Sequence, residues 1–414
     1  MPIKLKVART AQELDDVYKL RYDVYVTERG KFSEKRAASG GRIVDHFDSL
    51  PEAANVVAYD GDTAIASFRV NKDSAIGLAP EKYFDFSHAR ALIAGSANEA
   101  NSTPCIVSGS MLAIRKQWRH KRNVILALFK KTISVMHGWG ATHVFGAASA
   151  ETFSLYGRLG FKAVAKEQWV QSVGDRLVPM MAAFDEAFTW AFGKGAPAKK
   201  NFWFDNSRAE FETLLLAPGE VLFKQNDEAE YAYSIEKGGI SISRQGPDEK
   251  NLVIAQLGKG TLFGELAIFD GECRTASATA VMNTQLVAIK RDSMLDLIFQ
   301  DRDKIEQLLK HFSQRLRKTD HLSMVQQFAP QTSRVSYALQ QLWGSAPDQG
   351  VCTATRSLRI GVEQIAKRAQ VRESEVLRVL EMGRAAGGLD YGDDMVRFFR
   401  SPSSEGFMSV ALPR

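Results

Sequence analysis

The chain has 414 residues, and at about 100–200 residues per domain this length predicts two to four domains. Hydrophobic residues make up 45% of it and charged residues 25%, which excludes a disordered, collagen-like or coiled-coil chain. The net charge is +6, from 54 Lys and Arg against 48 Asp and Glu, which is too small over this length to indicate nucleic-acid binding by itself.

The cysteines, Cys105, Cys273 and Cys352, lie far apart in the sequence. Their spacing predicts neither a disulfide framework nor a zinc site, so we expect no metal and a reducing compartment, the cytoplasm. The N-terminus reaches acidic residues before any long apolar run, which argues against a signal peptide. No long apolar stretch predicts a membrane span.

Composition predicts where the domains divide. Residues 193–200 are small, charged and interrupted by proline, as is typical of a linker between domains. Together with the changes of pattern described below, this segment predicts a first domain over 1–197, a second over 198–330, a third over 331–402 and a tail over 403–414.

The first domain alternates strands with helices. Strands are predicted at 56–59 and 64–70, on either side of an Asp-Gly-Asp turn, and the pair is predicted to form a hairpin. Apolar residues at helical spacing predict a helix over 124–136, and 142–147 is predicted to be a short buried strand. We therefore predict an α+β domain built on a mixed sheet.

Three features of this domain are candidates for catalytic or substrate-binding residues. The first is the run Ser154-Leu-Tyr-Gly-Arg-Leu-Gly-Phe161. Gly160 is a helix C-cap signal, so Tyr156 is predicted to face back toward the preceding strand. The run resembles the last conserved segment of the GNAT superfamily of N-acyltransferases. That resemblance implies that Tyr156 is the general acid that protonates the departing thiolate. The alternative is a tyrosine that is only packed against its helix.

The second feature is the cationic run 115–122, between a strand at 111–114 and the next helix. In the same superfamily this turn holds the phosphates of the acyl donor through backbone N–H groups. The resemblance implies that Arg119 and Arg122 lie near an acyl-CoA or acyl carrier protein donor, and that N–H groups near Ala113 and Ile114 polarise the thioester carbonyl. Arg122 stands where the family pattern has glycine. The added cations could also contact an acidic carrier protein or form a solvated basic face.

The third feature is an ordered set of ionic residues, Arg21, Asp45, Asp48 and Arg69. This order resembles the branch of the superfamily that contains acyl-homoserine-lactone synthases and long-chain N-acyl amino acid synthases. The resemblance implies that these side chains organise the amine acceptor and its charge. The branch usually has Glu-x-Ser-Arg on the central strand, where this chain has Ser-Gly-Ser-Met at 108–111. Carboxylates that only solvate a loop are the alternative interpretation of the two aspartates.

The second domain consists of short strands broken by turns, which predicts an antiparallel barrel or jelly roll. Its strongest motif combines a glycine that permits close backbone approach, a following helix N-terminus and an arginine, all of which favour binding of a phosphate. The residues of this cassette are Phe263, Gly264, Glu265, Leu266, Ala267, Arg274 and Thr275.

The cassette resembles the phosphate-binding cassette of the cyclic nucleotide-binding domain family, over about residues 205–320. The resemblance implies that Glu265 binds the ribose 2′-hydroxyl and Arg274 the cyclic phosphate of cAMP or cGMP, with Thr275 near the phosphate or base. Asn226 stands where the family usually has glycine, and asparagine also tolerates positive φ. The alternative is a surface glycine turn followed by an arginine in a structural salt bridge.

A helix with one apolar face is predicted from residue 303 to 330, and its length would suit the seam of a homodimer. The third domain then resembles the winged helix of the catabolite activator protein family. In that family a threonine at the position of Thr319 contacts the bound base.

Between residues 331 and 400, ten Arg and Lys oppose eight Asp and Glu. Glu373 and Ser374 occupy the positions where that family reads bases with Arg and Glu. We therefore favour a degenerate winged helix that docks within the protein over one that binds DNA.

These features predict a cytoplasmic N-acyltransferase regulated by a cyclic nucleotide. The acyl group would pass from an acyl-CoA or acyl carrier protein thioester to a primary amine, either an amino acid or a protein lysine. The rival hypothesis is a transcription regulator in which the first domain is a sensor without catalytic activity.

Overall fold

A computed structural model describes residues 1–32, 40–99, 103–193, 211–245, 251–299, 302–345, 356–358 and 360–399. The chain divides into two compact units, Met1–Leu215 and Leu216–Arg414. The predicted linker beyond Gly193, the predicted tail 403–414 and Cys352 lie outside the described residues.

The first unit contains both strands and helices in alternation, as the sequence predicts. Its strands are β1 (Ile3–Val7), β2 (Ala53–Asp60), β3 (Thr63–Lys72), β4 (Ile106–Ile114), β5 (His143–Ser149), β6 (Lys162–Ala163), β7 (Gln168–Val170), β8 (Asp175–Ala183) and β9 (Glu212–Leu216). Its helices are α1 (Ala11–Tyr22), α2 (Ser87–Glu99), α3 (Arg122–Gly138), α4 (Phe153–Gly157) and α5 (Phe184–Phe192).

These strands form one mixed sheet in the order β9-β1-β2-β3-β4-β5-β8-β6, and β7 also pairs with β8. β4 and β5 run parallel, and the remaining pairs are antiparallel. The predicted hairpin is confirmed, because β2 and β3 pair up to Asp60 and Thr63, with Gly61 at a φ of +57° between them.

β9 pairs with β1 through Leu5 and Thr213. The first compact unit ends at Leu215 and so includes most of β9, while the predicted boundary after residue 197 stays a prediction. A pairing between residues so far apart in sequence leaves no trace in local composition.

Helix α1 begins with a capping box, in which the Thr10 hydroxyl accepts from the Glu13 N–H and the Glu13 carboxylate accepts from the Thr10 N–H. It continues into a π-helical turn, Asp23–Thr27. Short 3₁₀ turns occupy His46–Ser49, Ala79–Lys82 and Lys116–Trp118. Helix α3 packs on the sheet, where Phe129 meets Phe68 edge to face with ring centroids 5.4 Å apart.

The second unit contains the predicted short strands, followed by helices. The strands are β10 (Val221–Phe223), β11 (Tyr231–Lys237), β12 (Gly239–Gln245), β13 (Asn251–Gly258), β14 (Leu262–Phe263), β15 (Ser277–Ala280), β16 (Thr284–Lys290), β17 (Arg356–Leu358), β18 (Leu389–Gly392) and β19 (Met395–Phe398). The helices are α6 (Glu265–Asp270), α7 (Arg291–Phe299), α8 (Arg302–Phe328), α9 (Gln331–Ser345), α10 (Val362–Ala369) and α11 (Glu373–Ala385).

Antiparallel pairing joins β10-β15-β12-β13, β14-β11-β16 and β17-β19-β18. The predicted long helix is present as α8, and β18 and β19 pair as an antiparallel hairpin. In the described parts of the chain, no helix combines the length and the apolar character needed to cross a bilayer.

Candidate functional sites

The first candidate site lies where β4 and β5 separate. The two strands pair from Ile106 and His143 as far as Gly109 and Gly146. Beyond that point β4 continues beside β3 to Ile114, and β5 beside β8. A cavity of about 450 Å³ lies at this divergence and is lined by both strand ends.

β4 is irregular where it borders this cavity. Met111 has a φ of +56°, which is unusual for a residue with a side chain, and the register with β3 shifts between Ser67 and Arg69. The Tyr25 hydroxyl donates to the Leu112 carbonyl at 2.8 Å, within the distorted segment. A β-bulge redirects side chains and is common beside active sites. Nothing in the local sequence marks this bulge.

The predicted acceptor residues form one ionic network. Arg21 donates to both carboxylate oxygens of Asp48, at 2.9 and 3.0 Å. Arg69 lies 2.9 Å from Asp48 and 2.5 Å from Asp45. Its Nε also donates to the Ser110 hydroxyl at 3.1 Å, at the segment where this chain departs from the family pattern.

The network divides into a buried part and a cavity wall. The side chains of Arg21 and Asp48 are at most 1% exposed and are not among the described residues that line the cavity. Asp45 is 25% exposed, and both it and Arg69 line the cavity. Burial opposes ionisation of Asp48, but the adjacent guanidinium groups of Arg21 and Arg69 outweigh it and lower the pKa of that carboxyl. Asp48 is thus held as a carboxylate, and Asp45 is the one placed to meet a ligand.

Tyr156 lies on α4 and lines the same cavity, 7% exposed. Its ring meets Phe129 and Phe161 edge to face, each at 5.7 Å between centroids. Burial, with a smaller effect of Tyr25, raises the pKa of its hydroxyl. The phenol is therefore protonated at neutral pH, as a proton donor must be. The predicted C-cap Gly160 has a φ of +87°.

Of the four residues predicted to bind the acyl donor, two line the cavity and two do not. Arg119 and Ile114 line the cavity, and the Arg119 Nε donates to the Ile114 carbonyl at 3.0 Å. Arg119 also pairs with Glu28, which no local pattern could have predicted. Ala113 is fully buried on the other face of β4, and Arg122 is exposed at the start of α3; neither is among the described lining residues. A donor role for these residues stays a prediction.

The second candidate site is a cavity of about 550 Å³ in the second unit. Every residue predicted to bind the cyclic nucleotide lines it: Phe263, Gly264, Glu265, Leu266, Ala267, Arg274, Thr275 and Thr319. Gly264 adopts a φ of +70° before α6. A Cβ there would lie 2.9 Å from the Arg274 guanidinium and 3.3 Å from the Tyr233 ring, so the position requires glycine.

Glu265 is buried, and its carboxylate forms an ion pair with Arg315 of α8. The His311 ring nitrogen lies 3.8 Å from the same oxygen. The other carboxylate oxygen, Oε2, is buried without a hydrogen-bond partner among the described residues. An acceptor of this kind fits a ligand hydroxyl. Arg315 was not identified from the sequence, because a charged residue on a long exposed helix carries no local signal.

Arg274 is 3% exposed and donates to the carbonyls of Gly264 and Tyr231, each at 2.6 Å. Its guanidinium also stacks 4.3 Å from the centre of the Phe223 ring. Burial lowers its pKa, although the nearby Tyr233 acts in the opposite direction. Nε is buried without a partner among the described residues. This unused donor fits a phosphate ligand, which would compete with the two carbonyls for the rest of the guanidinium.

The flanking positions agree with the cassette geometry. Asn226 has a φ of +70°, which confirms that asparagine replaces glycine in this turn. Its backbone N–H donates to the Arg274 carbonyl at 2.8 Å, and the Arg274 N–H donates to the Asp227 carbonyl at 2.9 Å. Thr275 is exposed at the cavity, and the Thr319 hydroxyl donates to the Arg315 carbonyl at 3.0 Å.

Within the region predicted as the third domain, α10 and α11 follow each other closely, from Val362 to Ala385. Glu373 and Glu375 occupy the first turn of α11, and Glu375 accepts from Arg378 at 2.9 Å. The assignment of this region as a winged helix remains a prediction. The preference for docking within the protein over DNA binding remains one too.

Two family models match the chain, and each covers residues of one candidate site. Residues 16–183 match the family model for N-acyl amino acid synthase FeeM, and residues 214–301 match the model for the cyclic nucleotide-binding domain. The chain thus joins a domain similar to an acyl synthase to a cyclic nucleotide-binding domain.

Similar proteins cover parts of the chain. It is 32% identical over 124 residues to the CRP-like cAMP-activated global transcriptional regulator of Mycobacterium tuberculosis, covering 30% of this chain and 55% of that protein. It is 32% identical over 138 residues to the cyclic AMP receptor protein of Thermus thermophilus, covering 33% of this chain and 64% of that protein. The chain therefore spans less than two thirds of either relative.

The solved structure of FeeM, an N-acyl amino acid synthase from uncultured soil microbes, aligns at 13% identity with a TM-score of 0.37, over 48% of this chain and 100% of that one.

Proposed function

We propose that the protein is an N-acyltransferase of the GNAT type whose activity is regulated by a cyclic nucleotide. The observation that carries the proposal is the placement of Tyr156, Asp45 and Arg69 on the walls of one cavity at the divergence of β4 and β5. The donor is an acyl-CoA or acyl carrier protein thioester, and the acceptor is a primary amine of an amino acid or a protein lysine.

The reaction needs one proton acceptor and one proton donor. Asp45 takes a proton from the amine as its nitrogen attacks the thioester carbonyl. The new C–N bond forms and the C–S bond breaks, and Tyr156 gives its proton to the departing thiolate. A proton passed back from Asp45 to Tyr156 through solvent restores both groups. Arg69 holds Asp45 in place from the side, and Asp48 and Arg21 hold Arg69.

Regulation rests on the contact between Glu265 and Arg315. A ribose hydroxyl that bound Glu265 would compete with Arg315 for the same carboxylate, and this competition would change the position of α8. Couplings of this kind are typically worth about 1–3 kcal/mol. The cyclic nucleotide takes no part in the acyl transfer.

A second copy of the chain is the proposed partner of α8. Leu309 and Leu316 lie seven residues apart on this helix and are 61% and 64% exposed. Two helical turns separate them, so they share one face, which suits the seam of a homodimer.

The test is release of free thiol from acyl-CoA and acyl carrier protein donors, with and without cAMP or cGMP. We expect turnover that Tyr156→Phe lowers about 100-fold or more, because the ring stays packed while the proton donor is lost. The matched control is Tyr83→Phe, a tyrosine on the same cavity wall that has no proposed proton role. Absence of thiol release from every donor, with sequence-specific DNA binding, would instead support the transcription regulator.

A further inference from the structure

The cavity that contains the cassette extends well beyond it. Its far end is formed by α9 and α10, where Arg334, Tyr337 and Arg368 line the wall. A cyclic mononucleotide would be bound at the near end, by Glu265 and Arg274. The far end therefore offers polar groups that the proposed regulation does not use.

The charge of this cavity is strongly unbalanced. Among the described residues that line it, the arginines are Arg274, Arg315, Arg334 and Arg368, whereas Glu265 is the one carboxylate. That carboxylate is already paired with Arg315. A single cyclic phosphate carries one negative charge, so it would leave part of this positive charge uncompensated.

Arg368 stands out because of its position on α10. It lies three residues after Ile365, which is fully buried, and next to Ala369, which is 2% exposed. Helical spacing thus places a guanidinium on the face that α10 buries. Its neighbour Lys367 is exposed and pairs with Glu363 at 2.7 Å, as is ordinary for a surface helix.

The Arg368 guanidinium is incompletely satisfied. Its Nη1 atom is buried and has no hydrogen-bond partner among the described residues. Burial lowers its pKa, opposed by the nearby Tyr337 phenol. Arg334 is itself a cation without an acceptor and cannot pair with Arg368; its Nε donates to the Ala329 carbonyl at 2.8 Å. Arg368 is half-buried as a residue, but a cation whose Nη1 is buried without a counter-ion is costly to a fold unless a ligand pairs with it.

We propose that Arg368 forms a second anion subsite, which binds a phosphate group in addition to the one expected at the cassette. Planar guanidinium groups match phosphate oxygens in a two-point geometry. The group is either the second phosphodiester of a cyclic dinucleotide that spans the cavity or a separate phosphate ion. The dinucleotide form rests on the proposed nucleotide binding at the cassette, and the ion form does not.

The experiment measures binding to the full chain by calorimetry, with inorganic phosphate, a cyclic dinucleotide and cAMP as separate probes. Arg368→Met is compared with Lys367→Met, which removes a charge from the next position on α10 without touching the cavity. We expect saturable binding of phosphate, the dinucleotide or both to the wild type. Arg368→Met should weaken it about tenfold to hundredfold and Lys367→Met less than twofold. Comparing inorganic phosphate with the cyclic dinucleotide shows which of the two supplies the phosphate group.

Two further readouts keep the result unambiguous. Arg368→Met should bind cAMP within twofold of the wild type. If the wild type and both variants all fail to bind cAMP, the assignment of the cassette is wrong, and that result says nothing against this subsite. The same variant should melt at or above the Tm of the wild type in phosphate-free buffer, because an uncompensated charge has been removed. The proposal is overturned if the wild type binds neither phosphate nor the dinucleotide, if Arg368→Met binds them as the wild type does, or if this variant melts lower.

Discussion

The Asp48 carboxylate provides the sharpest test of how the first site is built. It accepts from Arg21 at 2.9 and 3.0 Å and lies 2.9 Å from Arg69, and all three side chains are at most 1% exposed. Asp48→Asn keeps the shape of the side chain but removes the negative charge that pairs with the buried guanidinium groups of Arg21 and Arg69. Breaking a buried ion pair in this way costs about 3–5 kcal/mol.

For a unit of this size each kcal/mol moves Tm by about 2–4 °C, so we expect Asp48→Asn to lower Tm by roughly 6–20 °C. Asp45→Asn is the matched control, because Asp45 pairs with the same Arg69 but is 25% exposed. A pair of that exposure is worth about 1 kcal/mol or less, which predicts a shift of no more than about 4 °C. Asp45→Asn should instead lower the rate of acyl transfer.

Tryptophan fluorescence during heating is a suitable assay, because Trp343 is the one tryptophan that follows residue 216 and the signal therefore reports mainly the first unit. The pH dependence adds a second criterion. The pKa of Asp48 is lowered in the fold, so its stabilising contribution is complete above the unfolded value of about 3.9 and is lost as the pH falls through the lower folded value. Asp48→Asn should lack this acid-dependent loss. A Tm within about 2 °C of the wild type would refute the reasoning.

Two further predictions concern the cassette. Gly264→Ala should weaken binding of cAMP about tenfold or more, measured by calorimetry, because a side chain at a φ of +70° costs about 1–2 kcal/mol and its Cβ would displace Arg274. An affinity equal to that of the wild type would contradict the role of the close approach. Arg315→Gln should raise the affinity for cAMP several-fold, because the ribose hydroxyl would no longer compete with Arg315 for the Glu265 carboxylate. The same variant should reduce the dependence of acyl transfer on cAMP. A lower affinity would mean that Arg315 supports the ligand and does not compete with it.

The sequence was most informative where chemistry is local. The cassette is a continuous run with one arginine close behind it, and all of its residues line one cavity. The asparagine at 226 and the glycines at 160 and 264 adopt positive φ, because turn geometry depends on a few adjacent residues. The hairpin of β2 and β3 was predictable for the same reason.

Features that depend on distant residues could not be predicted. The ionic residues of the first site were identified, but their division into a buried pair and a cavity wall depends on how the turn at 46–49 packs on β3. The bulge at Met111 and the pairing of Arg315 with Glu265 arise from contacts across the fold. Ala113 shows the same limit, because β-strand alternation turns it away from the cavity while its neighbour Ile114 faces it.

The pairing of β1 with β9 has a consequence for how the protein is made. Ile3 leaves the ribosome early, but its partner Leu215 is synthesised about 10–40 s later, at about 5–20 residues per second. During that interval the outer edge of β1 has no strand beside it, and exposed strand edges invite pairing between nascent chains. A fragment that stops at residue 197 would leave the β1 edge uncovered, whereas one that continues through β9 would cover it.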